Sequence, residues 1–199
     1  MARRAVVVLL GPVGWAPPGA DLADWRAALA EDVVDLIATL SEVEPAIAAV
    51  AADRTLADAV VWPGMPIYDL PARTVNAALA AAAADGYDQA AVISADAPDV
   101  PGLILGKLLR PLSTRPVAVA PGGTDRVGLL GLAARLPAPD WLPEVDLDRT
   151  DAAALRSAAP RTADVAVTPA WRRLRGPADL ATLDPAVEGW DTTRALLGG

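Results

Sequence analysis

Two segments of this chain, residues 5–10 (AVVVLL) and 89–94 (QAAVIS), carry runs of consecutive apolar residues, 5–10 in the first and 90–93 in the second, without the alternation of a half-exposed strand. A strand written this way is covered on both faces, which requires helices above and below a mostly parallel sheet. The two runs are therefore expected to be neighbours near the sheet centre. Each ends in a punctuated loop, Gly11-Pro12-Val13-Gly14 after the first and Ala95-Asp96-Ala97-Pro98 after the second.

The segments between them read as further units of an α/β chain. Asp21 is placed to cap a helix running to Leu40, with Trp25, Leu29, Val33, Leu36 and Leu40 on one stripe. Strands are expected at 46–50 and 59–62, a helix over 72–84 that ends at Asp85-Gly86, and a helix from Pro101 to Arg110. Residues 117–120 read as a strand, 128–132 as an antiparallel one, and 164–167 as the last. Short helices are expected at 151–158 and 178–183. The alternation argues for one α/β domain over residues 1–199, a doubly wound, mostly parallel sheet with helices on both faces.

Composition removes several classes of chemistry. The 199 residues contain neither His nor Cys. Disulfides, thiolate nucleophiles, Cys/His zinc sites and Ser-His-Asp triads are thereby excluded. A metal would need oxygen ligands, which suits Mg or Mn. A general base would be Asp, Glu, Tyr or the single lysine, Lys107. The net charge of −8 and the shortness of the basic cluster Arg172, Arg173 and Arg175 argue against nucleic acid and anionic membranes as partners. The run after Arg3 and Arg4 is too short for a signal peptide or a membrane span, and a cytoplasmic location is expected. Nothing in the pattern speaks to oligomeric state.

In a doubly wound sheet the ligand sits beyond the carboxyl ends of the strands. Three loops meet that rule: 11–19, 95–99 and 121–125. The first lacks the Gly-Lys-Ser/Thr of a phosphate-binding P-loop; Gly11, Pro12 and Gly14 read either as an ordinary strand-to-loop turn or as backbone that approaches a base or ribose, and Trp15 is the aromatic placed to stack on one. In the second, Asp96 reads either as a metal or nucleotide contact or as a turn acid held by the following helix N-terminus, and Asp99 as that helix's cap. In the third, Gly122, Gly123 and Thr124 form either an anion nest of backbone N–H groups or a plain turn. Asp69 and Arg73, four apart, are either a local ion pair or nucleotide contacts. Glu144, Asp146, Asp148 and Asp151 lack calcium-loop spacing and read as a solvated loop.

The segment from Ala91 to Pro101, with its Asp96-Ala97-Pro98, resembles the strand-end motif of GT-A-class nucleotidyltransferases and glycosyltransferases, a group that includes phospholactate guanylyltransferase. Three more stretches resemble the family in the same order. They are Tyr68-Asp69-Leu70-Pro71-Ala72-Arg73, the loop Ala120-Pro121-Gly122-Gly123-Thr124 with its return strand Gly128-Leu129-Leu130-Gly131-Leu132, and Arg175-Gly176-Pro177-Ala178-Asp179-Leu180. The resemblance spans most of the chain. It implies that Asp96 holds Mg or Mn, that Gly11, Pro12, Gly14, Trp15, Asp69, Arg73, Gly122, Gly123, Thr124 and Arg175 surround a nucleotide, and that Asp125 is the general base.

The chain also departs from the family. The 11–24 segment lacks the Lys and Arg that meet the phosphates, and arginines at 173 and 175 stand where a second metal-side acid is expected. The expected function is transfer from a nucleotide or nucleotide sugar to a small-molecule acceptor. The alternative is a catalytically degraded homologue that binds a ligand or a protein.

Overall fold

The computed structural model describes residues 2–123 and 127–198. Seven strands form one sheet: β1 (Arg4–Leu9), β2 (Glu44–Val50), β3 (Ile67–Leu70), β4 (Gln89–Ser94), β5 (Val117–Pro121), β6 (Leu129–Arg135) and β7 (Val165–Val167). Their order is β3-β2-β1-β4-β6-β5-β7. All neighbours pair in parallel except β6, which runs antiparallel to both β4 and β5. β1 and β4 lie side by side in the middle, in register from Arg4 with Gln89 to Leu9 with Ser94, so their carboxyl ends and following loops emerge together.

Helices cover both faces. On one side α1 (Leu22–Ala38), α2 (Arg54–Val60) and α4 (Gly102–Leu109) pack on Val6, Val8, Ile47, Ala91 and Ile93. On the other, α3 (Val75–Ala84) and α5 (Ala152–Ala158) pack on Ala5, Val7, Ala90, Val92 and Val117. The consecutive apolar residues of β1 and β4 thus supply two cores at once, as their lack of alternation requires. Much of this interior is Ala and Val, and close approach is most severe at Gly131 on β6. A Cβ there would lie 2.7 Å from the Val92 carbonyl oxygen and 2.8 Å from Ile93 Cγ2.

Three elements differ from the sequence expectation. Residues 59–62 are not a strand. The helix α2 carries Leu56, Ala57 and Val60 inward, and the edge strand β3 comes after the Pro63-Gly64 turn, where Gly64 adopts φ +84°. Because β3 ends at Leu70, Asp69 lies on a strand, and α3 begins later, capped by the Thr74 hydroxyl on Ala77 N–H. The expected helix at 178–183 is a 3-10 turn, Pro177–Thr182, and a further short helix, α6 (Asp191–Leu196), follows it.

α6 explains why α1 is buried over more than one stripe. Ala30, Val33, Val34 and Ile37 face the sheet, while Trp25 and Leu29 join Leu174, Leu180, Leu183 and Leu197 from the C-terminal segment. Asp32 is buried on α1, and its carboxylate accepts the N–H groups of Thr192 (3.1 Å) and Thr193 (2.8 Å), closing the start of α6. No helix among the described residues is long and apolar enough to cross a membrane.

Candidate functional site at the strand ends

The carboxyl ends of β1 and β4 open into a cleft lined by Leu10, Gly11, Pro12, Arg26, Asp96 and Arg173, among others. A broader apolar groove of about 730 Å³ continues from it along α1 and α2, past Val13, Leu22, Ala27, Leu56 and Ala59. Among the described residues no atom lies within 4 Å of a Cβ built on Gly11 or Gly14, so neither glycine relieves crowding against them.

Two arginines meet behind Gly11. Arg26, on the first turns of α1, donates from Nε to the Gly11 carbonyl (3.0 Å) and from Nη2 to Asp53 Oδ1 (2.6 Å). Arg73, just before α3, donates from Nε to the Leu10 carbonyl (3.1 Å) and from Nη2 to Asp53 Oδ2 (2.6 Å). One buried carboxylate therefore orients two guanidinium groups on the end of β1. Burial works to raise the Asp53 pKa, but the hydrogen bonds and charges of Arg26 and Arg73 outweigh it and hold the carboxyl below its ordinary value. The cluster carries a net positive charge, and the two side chains stay 24% and 35% exposed, so both can meet an anion from solvent. Neither Arg26 nor Asp53 was singled out in the sequence. Arg26 falls two residues beyond the 11–24 segment, inside α1, and Asp53 lies in the short 3-10 turn Ala51–Asp53 after β2, with no local pattern.

Asp96 has a different partner. Its Oδ1 accepts the Ser94 hydroxyl (2.7 Å) and Arg173 Nε (2.6 Å), and its Oδ2 accepts Arg173 Nη2 (2.8 Å). Arg173 Nη2 also reaches Asp148 Oδ1 (2.6 Å), and Nη1 donates to the carbonyls of Leu129 (3.1 Å) and Leu147 (3.0 Å). Burial opposes the Arg173 charge, but Asp96 and Asp148 more than offset that and raise its pKa above the ordinary guanidinium value. The neighbouring Asp99 is not a helix cap: it is buried, accepting Trp171 Nε1 (3.1 Å) on one oxygen and the Arg172 guanidinium on the other. The segment after β7 is thus fastened to the β4 loop by two consecutive arginines.

The other residues singled out in the sequence scatter around this centre. Asp69 is exposed at the sheet edge and pairs with Arg54 rather than with Arg73. Trp15 packs edge-on against Trp25, ring centroids 5.3 Å apart, and donates from Nε1 to the Leu174 carbonyl (3.3 Å), which fastens the 11–19 loop to the C-terminal segment. Gly122 lets the Arg173 stem pass, since a Cβ there would lie 3.1 Å from Arg173 Cδ. Gly123 adopts φ +146° in the turn after β5. Arg175 donates from Nη1 to the Val127 carbonyl (2.7 Å) and from its backbone N–H to Asp179 (2.8 Å). Thr124 and Asp125 lie outside the described residues.

The residues present do not fit a divalent metal at Asp96. Both carboxylate oxygens are engaged by Arg173, and no group of three acidic side chains able to hold a metal gathers among the described residues.

No protein-family model and no curated protein matches the sequence. Solved structures do resemble the whole chain. A protein from Desulfovibrio desulfuricans assigned as a nucleotide-diphospho-sugar transferase superposes with a TM-score of 0.63 at 18% identity, over 100% of this chain and 98% of its own. The 4-diphosphocytidyl-2C-methyl-D-erythritol synthase of Anaerococcus prevotii gives 0.62 at 12% identity, over 98% and 96%. A CMP:2-keto-3-deoxy-manno-octonic acid synthetase, solved with CTP, gives 0.56 at 12% identity, over 99% of both chains. The chain shares its fold with these three proteins. At these identities the likeness is one of fold, and the site must carry any argument about activity.

Proposed function

We propose that the chain binds a nucleoside triphosphate or nucleotide sugar across the carboxyl ends of β1 and β4 and transfers its nucleotidyl or glycosyl group to a small-molecule acceptor. The observation that carries this reading is the Arg26–Asp53–Arg73 cluster. It sets two oriented cations beside a loop whose Gly11 backbone is open to a ligand. This supplies, from α1 and the start of α3, the basic groups that the 11–24 segment lacks. The fold supports it too, since the ligand position in such sheets lies at these strand ends, and one protein of similar fold was solved with CTP.

In the proposed reaction an acceptor oxygen attacks phosphorus, expelling pyrophosphate, or attacks the anomeric carbon, expelling a nucleoside diphosphate. The acceptor proton passes to a carboxylate, the role the family resemblance gives Asp125. The guanidinium groups of Arg26 and Arg73 bear the phosphate charge, which grows on the leaving group in either route. Arg173, whose donors are all engaged by the protein, shapes the cleft wall and takes no part in the transfer.

A thermal-shift panel of nucleoside triphosphates and nucleotide sugars tests the reading. A ligand present at about 100 times its dissociation constant adds roughly 2.7 kcal/mol of stability. At least one nucleotide should raise the unfolding temperature while inorganic sulfate at equal ionic strength does not. A panel with no shift would contradict the proposal.

A further inference from the structure

Arg173 sits in a cage made entirely of oxygen. Its five N–H groups end on both oxygens of Asp96, on Asp148 Oδ1 and on the carbonyls of Leu129 and Leu147. Two carboxylates with two backbone carbonyls are the donor set of a hard divalent cation. Here they surround a guanidinium, and its Nη2 atom touches both acids, at 2.8 and 2.6 Å. The two carboxylates therefore already converge on one point. Without a cation they would repel each other and lose solvation, so some positive charge must stand between them. Asp96 is buried, whereas the Asp148 side chain is half exposed, which leaves one wall of the cage open to solvent and free to adjust.

We propose that Arg173 is a built-in replacement for a divalent cation, and that Asp96 and Asp148 form a masked metal site, closed while the guanidinium is in place and opened when it is removed. The metal–oxygen distances of a hard cation, roughly 2.0–2.6 Å, are shorter than the contacts of Arg173, and the exposed Asp148 is the ligand that moves in. The inference does not rest on the nucleotide reading, because metal occupancy is measured with no nucleotide present. It also predicts that any nucleotide bound at the β1 end binds equally well in chelator and in manganese.

The experiment compares the full-length wild type, its Asp96→Asn control, the two single variants Arg173→Ala and Arg173→Gln, and the Arg173→Ala/Asp96→Asn double variant by manganese titration under electron paramagnetic resonance. Thermal unfolding is followed in manganese, calcium and chelator. The wild type should show no saturable manganese binding that depends on Asp96, and no metal-dependent shift in unfolding temperature. Either single Arg173 variant should bind manganese at least about tenfold more tightly than the wild type and regain unfolding temperature with metal. The double variant should lose both gains. Arg173→Gln keeps part of the side-chain volume and two N–H donors, so the comparison survives if Arg173→Ala fails to fold. Manganese binding by the wild type that Asp96→Asn abolishes would overturn the proposal, as would single Arg173 variants that gain no affinity.

Discussion

Asp96 and Arg173, drawn from opposite halves of the chain, form a bidentate ion pair with contacts of 2.6 and 2.8 Å, and the Leu174 N–H reinforces it on the Asp96 carbonyl at 2.7 Å. Removing one member of a buried pair leaves the other charge uncompensated, which costs about 3–5 kcal/mol. Asp96→Asn should therefore lower the urea midpoint substantially with an unchanged slope, the second carboxylate, Asp148, keeping the loss near the lower end of that range. Arg54→Ala, which breaks the exposed pair with Asp69, should leave the midpoint where it is. Equal losses in the two variants would show that the Asp96 pair is not the fastening of the C-terminal segment.

Glycine carries opposite meanings at two positions. Gly131→Ala drives a methyl into the Val92 carbonyl and Ile93 Cγ2, at 2.7 and 2.8 Å, where β6 and β4 cannot part without breaking their ladder. A loss of about 1–3 kcal/mol is expected by denaturant titration. Gly11→Ala places its methyl in open space and should not change stability. If a nucleotide lies against that backbone, the same variant weakens its binding. A stability loss at Gly11 would mean that the glycine serves the fold rather than a ligand.

The acid limb of stability should depend on Asp53. Arg26 and Arg73 hold its carboxyl below the ordinary value against the effect of burial. A lowered folded pKa contributes stability that is fully present above the unfolded value, near pH 4, and is lost as pH falls through the folded one. Wild-type unfolding temperature should thus fall below about pH 4, and Asp53→Asn, less stable at neutral pH, should show a flatter decline over that window. Parallel curves for the two proteins would exclude Asp53 as a source of acid sensitivity.

The C-terminal segment depends on a cap that is distant in sequence. Asp32→Ala removes the acceptor for the Thr192 and Thr193 N–H groups and should cost about 1–2 kcal/mol, the scale of a lost helix cap. The loss should be local: proteolysis within 184–198 should accelerate before the rest of the chain is cut. Uniform acceleration along the chain would instead make α6 part of the global folding unit.

The sheet centre was legible in the sequence because β1 and β4 are buried on both faces, and runs without alternation are what such double burial leaves in a strand. The antiparallel β6 was legible as a return strand after the 122–123 glycines. The run at 59–62 misled because an apolar β-branched stretch fits the last turn of a helix as well as a strand, and only packing on the sheet chose α2. The site was legible as a place more than as a set of partners. Arg73 and Asp96 lie at the strand ends, but their partners Asp53 and Arg173 come from remote turns, and a charged pair closed across the fold leaves no spacing in the chain. The arginines near the C-terminus were read as replacing an acid; that Arg173 would spend every donor on Asp96, Asp148 and backbone is a property of the folded cage alone.

The central claim is that Arg26 and Arg73 receive a nucleotide at the end of β1. Isothermal calorimetry in the presence of chelator, with the nucleotide that gives the largest thermal shift, tests it most directly on the wild type, Arg26→Ala and Arg73→Ala. Each variant, folded at the temperature of the titration, should lose about 1–3 kcal/mol of binding, a 5- to 150-fold rise in Kd on the scale of a charge-assisted hydrogen bond. Unchanged affinity in both variants would contradict the account and return the Arg26–Asp53–Arg73 cluster to a purely structural role.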